Sequence, residues 1–102
     1  FWKTKMEQKE IINNLSEFRK KNQKKYNIVK IGIFGSVSKN TINEKSDIDI
    51  VVELNQPSAF FLIGIKQDLE ELLQKPIDIV RYRENMNPFL KKRIDQEAIY
   101  VW

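Results

Sequence analysis

Between Gly35 and Asp49 the chain reads Gly-Ser-Val-Ser-Lys-Asn-Thr-Ile-Asn-Glu-Lys-Ser-Asp-Ile-Asp. A Gly-Ser pair closes one apolar run, ten residues follow, and an Asp-x-Asp lies within a second apolar run. A glycine-serine turn can present backbone N–H groups to a phosphate, because glycine reaches positive φ and lets a ligand approach the backbone. Asp47 and Asp49, two apart in a strand, point to one face about 6–7 Å from each other. At that separation two carboxylates repel by about 2–3 kcal/mol for an effective dielectric of about 20. They need a cation more than they need one another. A phosphate turn facing a carboxylate pair suits Mg-nucleotide chemistry, in which cations bridge carboxylate and phosphate oxygens. Asp-x-Asp read alone fits an ordinary polar strand face in water. The Gly-Ser turn at its fixed distance favours the chemical reading.

A third acid follows. Lys75-Pro76-Ile77-Asp78-Ile79-Val80 sets Asp78 between two isoleucines. If the isoleucines face the core, period-two alternation turns Asp78 to the opposite side. Ile48, Ile50, Val52 and Leu54 take the core-facing positions of the preceding strand. Asp47, Asp49 and Glu53 share its other side, with Val51 between them. Were the two strands neighbours, three carboxylates would converge. Such a triad can hold one or two Mg²⁺, and its third member can take a proton from an attacking hydroxyl. In isolation Asp78 reads as a solvent-facing strand residue.

Composition narrows the chemistry. The 102 residues fit one domain spanning 1–102. Cysteine and histidine are both absent, which excludes disulfides, thiolate metal sites, zinc hydrolysis and a histidine base. Any metal must be held by oxygen ligands, favouring Mg²⁺ or Mn²⁺. No apolar run approaches a membrane span and no secretory leader is evident, so a cytoplasmic protein is expected. Residues 1–5 precede Met6 and are read as vector-derived or truncated. Lys and Arg total 18 against 14 Asp and Glu, a net charge of +4. The dense basic cluster is Arg19-Lys20-Lys21 with Lys24 and Lys25. It could contact nucleic acid or an acidic partner, but it lacks interleaved aromatics. It fits better as the cationic last turns of a helix, so direct nucleic-acid binding is not expected.

The elements that must position these residues are legible as alternations of apolar period. Ile11, Ile12, Leu15 and Phe18 at helical spacing predict a helix over about 6–24. Residues 28–34 are β-branched and apolar and predict a buried strand, and 36–43 a short helical turn and loop. A second strand is expected over 46–54. Pro57 and Ser58 open a helix to about 74, with Leu62, Ile65, Leu69, Leu72 and Leu73 inward and Gly64 serving close packing. A third strand is expected over 76–82. Asn87-Pro88 reads as an N-cap with proline at the first helical position. The helix should run to about 96 with Phe89, Leu90 and Ile94 inward, before a short strand over 98–102.

Phe34-Gly35-Ser36, Ser46-Asp47-Ile48-Asp49 and Pro76-Ile77-Asp78-Ile79-Val80 together resemble the minimal nucleotidyltransferases of the DNA-polymerase-β-like superfamily. The C-terminal Asn-Pro-Phe-Leu-Lys-Lys-Arg-Ile-Asp-Gln-Glu-Ala also resembles the end of these small proteins. The resemblance covers residue 28 to the end. It implies an α+β nucleotidyltransferase fold, a mixed β-sheet packed against α-helices. It also implies ATP as substrate, with AMP transferred to an acceptor hydroxyl and pyrophosphate released. Asp47, Asp49 and Asp78 would be the catalytic and metal-binding residues, holding two Mg²⁺. Gly35, Ser36, Lys39 and Ser46 would bind the nucleotide. Many members carry Arg-Gly where this chain has Lys39-Asn40. Asparagine tolerates a left-handed turn, but lysine lacks the planar fork of arginine. Small free-standing members resemble antitoxins paired with HEPN-domain toxins, some of which they inactivate by adding AMP to a tyrosine. A HEPN toxin is therefore the implied partner, with the Lys20–Lys25 segment and Trp102 as candidate docking elements. A noncatalytic antitoxin that neutralises by binding is the alternative that Lys39 keeps open. A small-molecule nucleotidyltransferase similar to the aminoglycoside-modifying enzymes is another, although those carry an additional helical domain.

Overall fold

The structure is a computed structural model that describes residues 8–35, 37–39, 47–56 and 58–101. Helix α1 spans Gln8–Tyr26, strand β1 Ile28–Phe34, β2 Ile48–Leu54, α2 Ala59–Leu73, β3 Ile77–Arg81, α3 Pro88–Glu97 and β4 Ile99–Val101. The strands form one sheet in the order β3-β2-β1-β4. β1 is antiparallel to both β2 and β4, whereas β2 and β3 run parallel. The fold is the expected α+β arrangement with a mixed sheet. Parallel pairing requires a crossover, and α2 is that crossover. Among the described residues no helix is long and apolar enough to cross a membrane.

The sheet is covered on both faces. On one, Ile11, Leu15 and Phe18 of α1 and Ile65, Leu69 and Leu73 of α2 pack on Ile48, Ile50, Val52 and Ile77. On the other, Ile94 of α3 and Met86 pack with Phe34 and Val51, joined by Val80, Tyr82, Leu90 and Tyr100. β2 therefore alternates between two apolar layers, and Val51 is as fully buried as its neighbours. Sequence patterning assigned Val51 to a polar face; the lid of α3 makes half of that face a second core.

The helix ends follow local chemistry. Asn27 ends α1 at φ 55° and Gln74 ends α2 at φ 55°, both left-handed caps. Ser58 caps α2 by accepting the Phe61 N–H. Asn87 caps α3, its side chain accepting from Phe89 and Leu90, with Pro88 next in line as expected. Gly64 lies against the ring of Tyr26, where a Cβ would meet ring atoms at 2.9 Å, so its role is close helix packing.

Two inward assignments are corrected. Phe89 is 85% exposed, because the buried row of α3 is Leu90 and Ile94 and Phe89 lies about 100° around the helix from Leu90. Leu72 is 45% exposed, because Leu69 and Leu73 take the inward row and leave it at the α1–α2 seam.

Candidate functional site

Gly35 closes β1 at φ +74°, a left-handed conformation that favours glycine. Any side chain there would also strike the Asp49 carboxylate, because Asp49 lies opposite Phe34 in the β1–β2 register. Of the helical turn and loop expected over 36–43, residues 37–39 are described and form a turn. The Gly35 carbonyl accepts the Lys39 N–H at 3.2 Å and the Ser38 hydroxyl at 2.8 Å. Gln8 at the start of α1 steadies the turn by donating to the carbonyls of Val37 at 2.7 Å and Ser38 at 3.0 Å. Ser36, Asn40 and Ser46 lie outside the described residues, as does Trp102.

The parallel pairing of β2 with β3 sets Asp49 directly beside Asp78. That register is anchored at its start. The Ile48 N–H donates to the Pro76 carbonyl at 3.0 Å, and the Glu70 carboxylate of α2 accepts the Ile77 N–H at 3.3 Å. Ile77 is buried in the α1–α2 core, which turns Asp78 outward to the face of Asp49. Asp47 stands exposed just before β2. Burial pushes the Asp49 carboxyl above its usual range, and Asp78 pushes it further; Arg93 opposes the rise, while Asp47 and Glu97 add to it. The acids thus share one field whose unfavourable charge a cation would relieve.

Among the described residues no three acids form a ready-made metal cage. The donor set nevertheless fits Mg²⁺. It is all oxygen, it lies beside a phosphate-type turn, and its half-buried member already favours losing negative charge. Glu53, further along the same face, pairs with Lys30 at 3.9 Å and belongs to a separate surface group.

Two residues that sequence reasoning did not single out complete the cluster. β4 pairs with β1 so that Ile99 lies opposite Ile33 and Val101 opposite Ile31. The same register carried two residues onward brings Glu97 against Gly35. Its carboxylate accepts the Gly35 N–H at 3.2 Å and pairs with Lys39 at 3.1 Å and Arg93 at 3.2 Å. Burial raises the Glu97 carboxyl, but Lys39, the Gly35 N–H and Arg93 outweigh it and hold the group below its usual range. Arg93 lies over the Phe34 ring at 5.5 Å and near the point where a Gly35 Cβ would stand. The visible signal was an Arg and a Glu four apart around the apolar Ile94, a helix pair whose sequence partners do not reveal the glycine they meet. Lys39 lies in the turn, its ammonium paired with Glu97.

A family model for the nucleotidyltransferase domain matches residues 15–101. The Methanocaldococcus jannaschii protein named "Putative protein adenylyltransferase MJ0126" is 37% identical over 93 residues, which are 90% of this chain and 95% of that one. A solved structure described as a "putative minimal nucleotidyltransferase" superposes with a TM-score of 0.77 at 26% identity, covering 95% of this chain and 98% of the other. The fold also matches, at a TM-score of 0.69 and 22% identity, a structure of a tri-AMPylated Shewanella oneidensis HEPN toxin in complex with MNT antitoxin. That match covers 93% of this chain and 71% of the other. With a left-handed glycine turn beside paired strand aspartates, and with these likenesses in sequence and fold, the chain belongs as an enzyme to the nucleotidyltransferase domain family.

Proposed function

We propose that this nucleotidyltransferase is an antitoxin that transfers AMP from ATP to a tyrosine hydroxyl of a HEPN-domain toxin. The observation that carries the site is the register of Asp49 beside Asp78 at the end of the left-handed Gly35 turn. The partner is supported by the likeness in fold to an antitoxin in complex with an AMPylated HEPN toxin.

In this reading Gly35, Ser36, Lys39 and Ser46 orient the polyphosphate. Asp47 and Asp49 would hold Mg²⁺, and Asp78 would complete the site beside them. The metal, when bound, neutralises phosphate charge and polarises the α-phosphorus. The acceptor oxygen forms a bond to that phosphorus as the bond to the bridging oxygen of pyrophosphate breaks. Asp78 is exposed at the edge of the site, and its carboxylate takes the hydroxyl proton and releases it to solvent. Alignment of the acceptor at about 3–3.5 Å from phosphorus is worth much of the rate, and a docked protein surface supplies it.

The test mixes the chain with its HEPN partner, ATP and Mg²⁺ and weighs the partner intact. AMP adducts on a tyrosine, lost when Mg²⁺ is chelated, are expected. A tight neutralised complex with no change in mass would instead identify a stoichiometric binder.

A further inference from the structure

Glu97 sits where an anion belongs. One carboxylate, 17% exposed, gathers the N–H of a left-handed glycine, an ammonium and a guanidinium, with its two oxygens shared among them. Backbone N–H, lysine and arginine are the donors that grip phosphate oxygens. The ring of Phe34 beneath Arg93 limits where the guanidinium can lie, so the cation is already placed beside the turn. Lys39 is 59% and Arg93 48% exposed, so both cations can be reached from solvent although Glu97 is 17% exposed. An incoming polyphosphate can exchange for the carboxylate because it offers more charge and more acceptor oxygens to the same donors.

Building on the nucleotide-binding reading above, we propose that Glu97 is a resident anion in the polyphosphate subsite and that Arg93 is a further triphosphate-binding residue. A nucleoside triphosphate displaces the Glu97 carboxylate and takes over the Gly35 N–H, Lys39 and Arg93. The carboxylate acts as a competing ligand tethered to the fold, and it screens the two cations from other anions until a triphosphate arrives.

Calorimetric titration of the full chain with inorganic tripolyphosphate, and with a non-hydrolysable ATP analogue in Mg²⁺, tests the exchange. Glu97→Gln keeps the shape and the ability to accept from Gly35 but removes the charge. It should bind both probes about 3–10-fold more tightly, the equivalent of up to about 1.4 kcal/mol. Arg93→Ala should weaken both about tenfold, and Arg93→Lys should recover part of the loss. In the Arg93→Ala background the gain from Glu97→Gln should shrink, because the two side chains are coupled. Melting curves establish that each variant is folded. Unchanged or weaker binding by folded Glu97→Gln would make that residue a structural strut and overturn the exchange. Unchanged binding by Arg93→Ala would overturn its assignment. A wild-type chain that transfers AMP while either result holds leaves the proposed function standing and removes this inference alone. A wild-type chain that binds neither probe would overturn both.

Discussion

On the face covered by α1 and α2, Ile48, Ile50 and Val52 of β2 meet Ile11, Leu15, Ile65 and Leu69 in a continuous apolar layer. On the opposite face Val51 is just as well sealed, by Ile94 and Met86, yet Asp49 two residues before it is half-buried and Asp78 beside it is exposed. The difference lies in the covering elements. Two long helices blanket the first face, whereas the shorter α3 caps only part of the second and leaves its acidic end open. The first face is packed throughout, and the second divides its residues between packing and the acids of the candidate site. Because β2 and β3 serve both faces, the core on one side sets the register of the carboxylates on the other.

The largest effect expected from breaking this division is on the acidic end. Asp49→Asn, or Asp47→Asn, should abolish Mg²⁺-dependent transfer while the chain stays folded, as read by intact-mass assay and thermal melting. Asp49→Asn should also raise the melting temperature in chelator at neutral pH. The folded protein raises the Asp49 pKa, so its ionised form disfavours the fold. That penalty is fully present above the raised pKa and fades as pH falls towards the ordinary carboxylate range. The advantage of the variant should shrink over the same window, and an advantage that grew on acidification would contradict the cause assigned here. Asp78→Ala comes next. It should lower transfer by about 10²–10⁴-fold, the range for loss of a general base, with nucleotide affinity nearly unchanged. Equal losses in both would make Asp78 chiefly a metal ligand.

The α1–α2 face should respond in the opposite manner. Leu69→Ala, in a fully buried position, should cost about 2–5 kcal/mol of unfolding free energy in a denaturant melt. Well below its melting temperature the variant should still bind nucleotide with nearly wild-type affinity. A specific loss of affinity in the folded variant would show that the two faces are less separable than their packing indicates.

What could be read from residues alone divides along the same line. The α1–α2 face repeats simple periods, so its helices, its strands and the outward turn of Asp78 follow from local alternation. The left-handed turn at Gly35 and the shared face of Asp49 and Asp78 were legible in position, because a glycine closing an apolar run and acids alternating with isoleucines fix where those residues stand in a strand. The second core was not legible, because Val51 and Val80 carry no mark of the helix that covers them. Arg93 and Glu97 meet Gly35 only through the β1–β4 register, across most of the chain. Phe89 and Leu72 misled for a simpler reason: a large apolar residue beside the inward row of a helix looks like a member of it.

The smallest predicted effect separates the faces through their helix caps. Ser58 and Asn87 do the same job at the start of α2 and α3, each accepting backbone N–H groups of the first turn. Replacing either by alanine should cost about 0.5–2 kcal/mol. For a domain near this size, each 1 kcal/mol lowers the melting temperature by about 4–8 °C. The consequences for nucleotide should nonetheless differ. α3 carries Arg93 and Glu97, and the Asn87 cap fixes the first turn of the helix that holds them over Gly35. A loosened start lets that helix shift against Phe34 and Val51, so Asn87→Ala should weaken nucleotide binding as well as stability. α2 is held along its length by Ile65, Leu69 and Leu73 and tied to β3 through Glu70. Ser58→Ala should therefore lower the melting temperature alone. Paired melting and titration of the two variants provides the measurement, and equal effects on affinity would mean that α3 is no closer to the nucleotide, energetically, than α2.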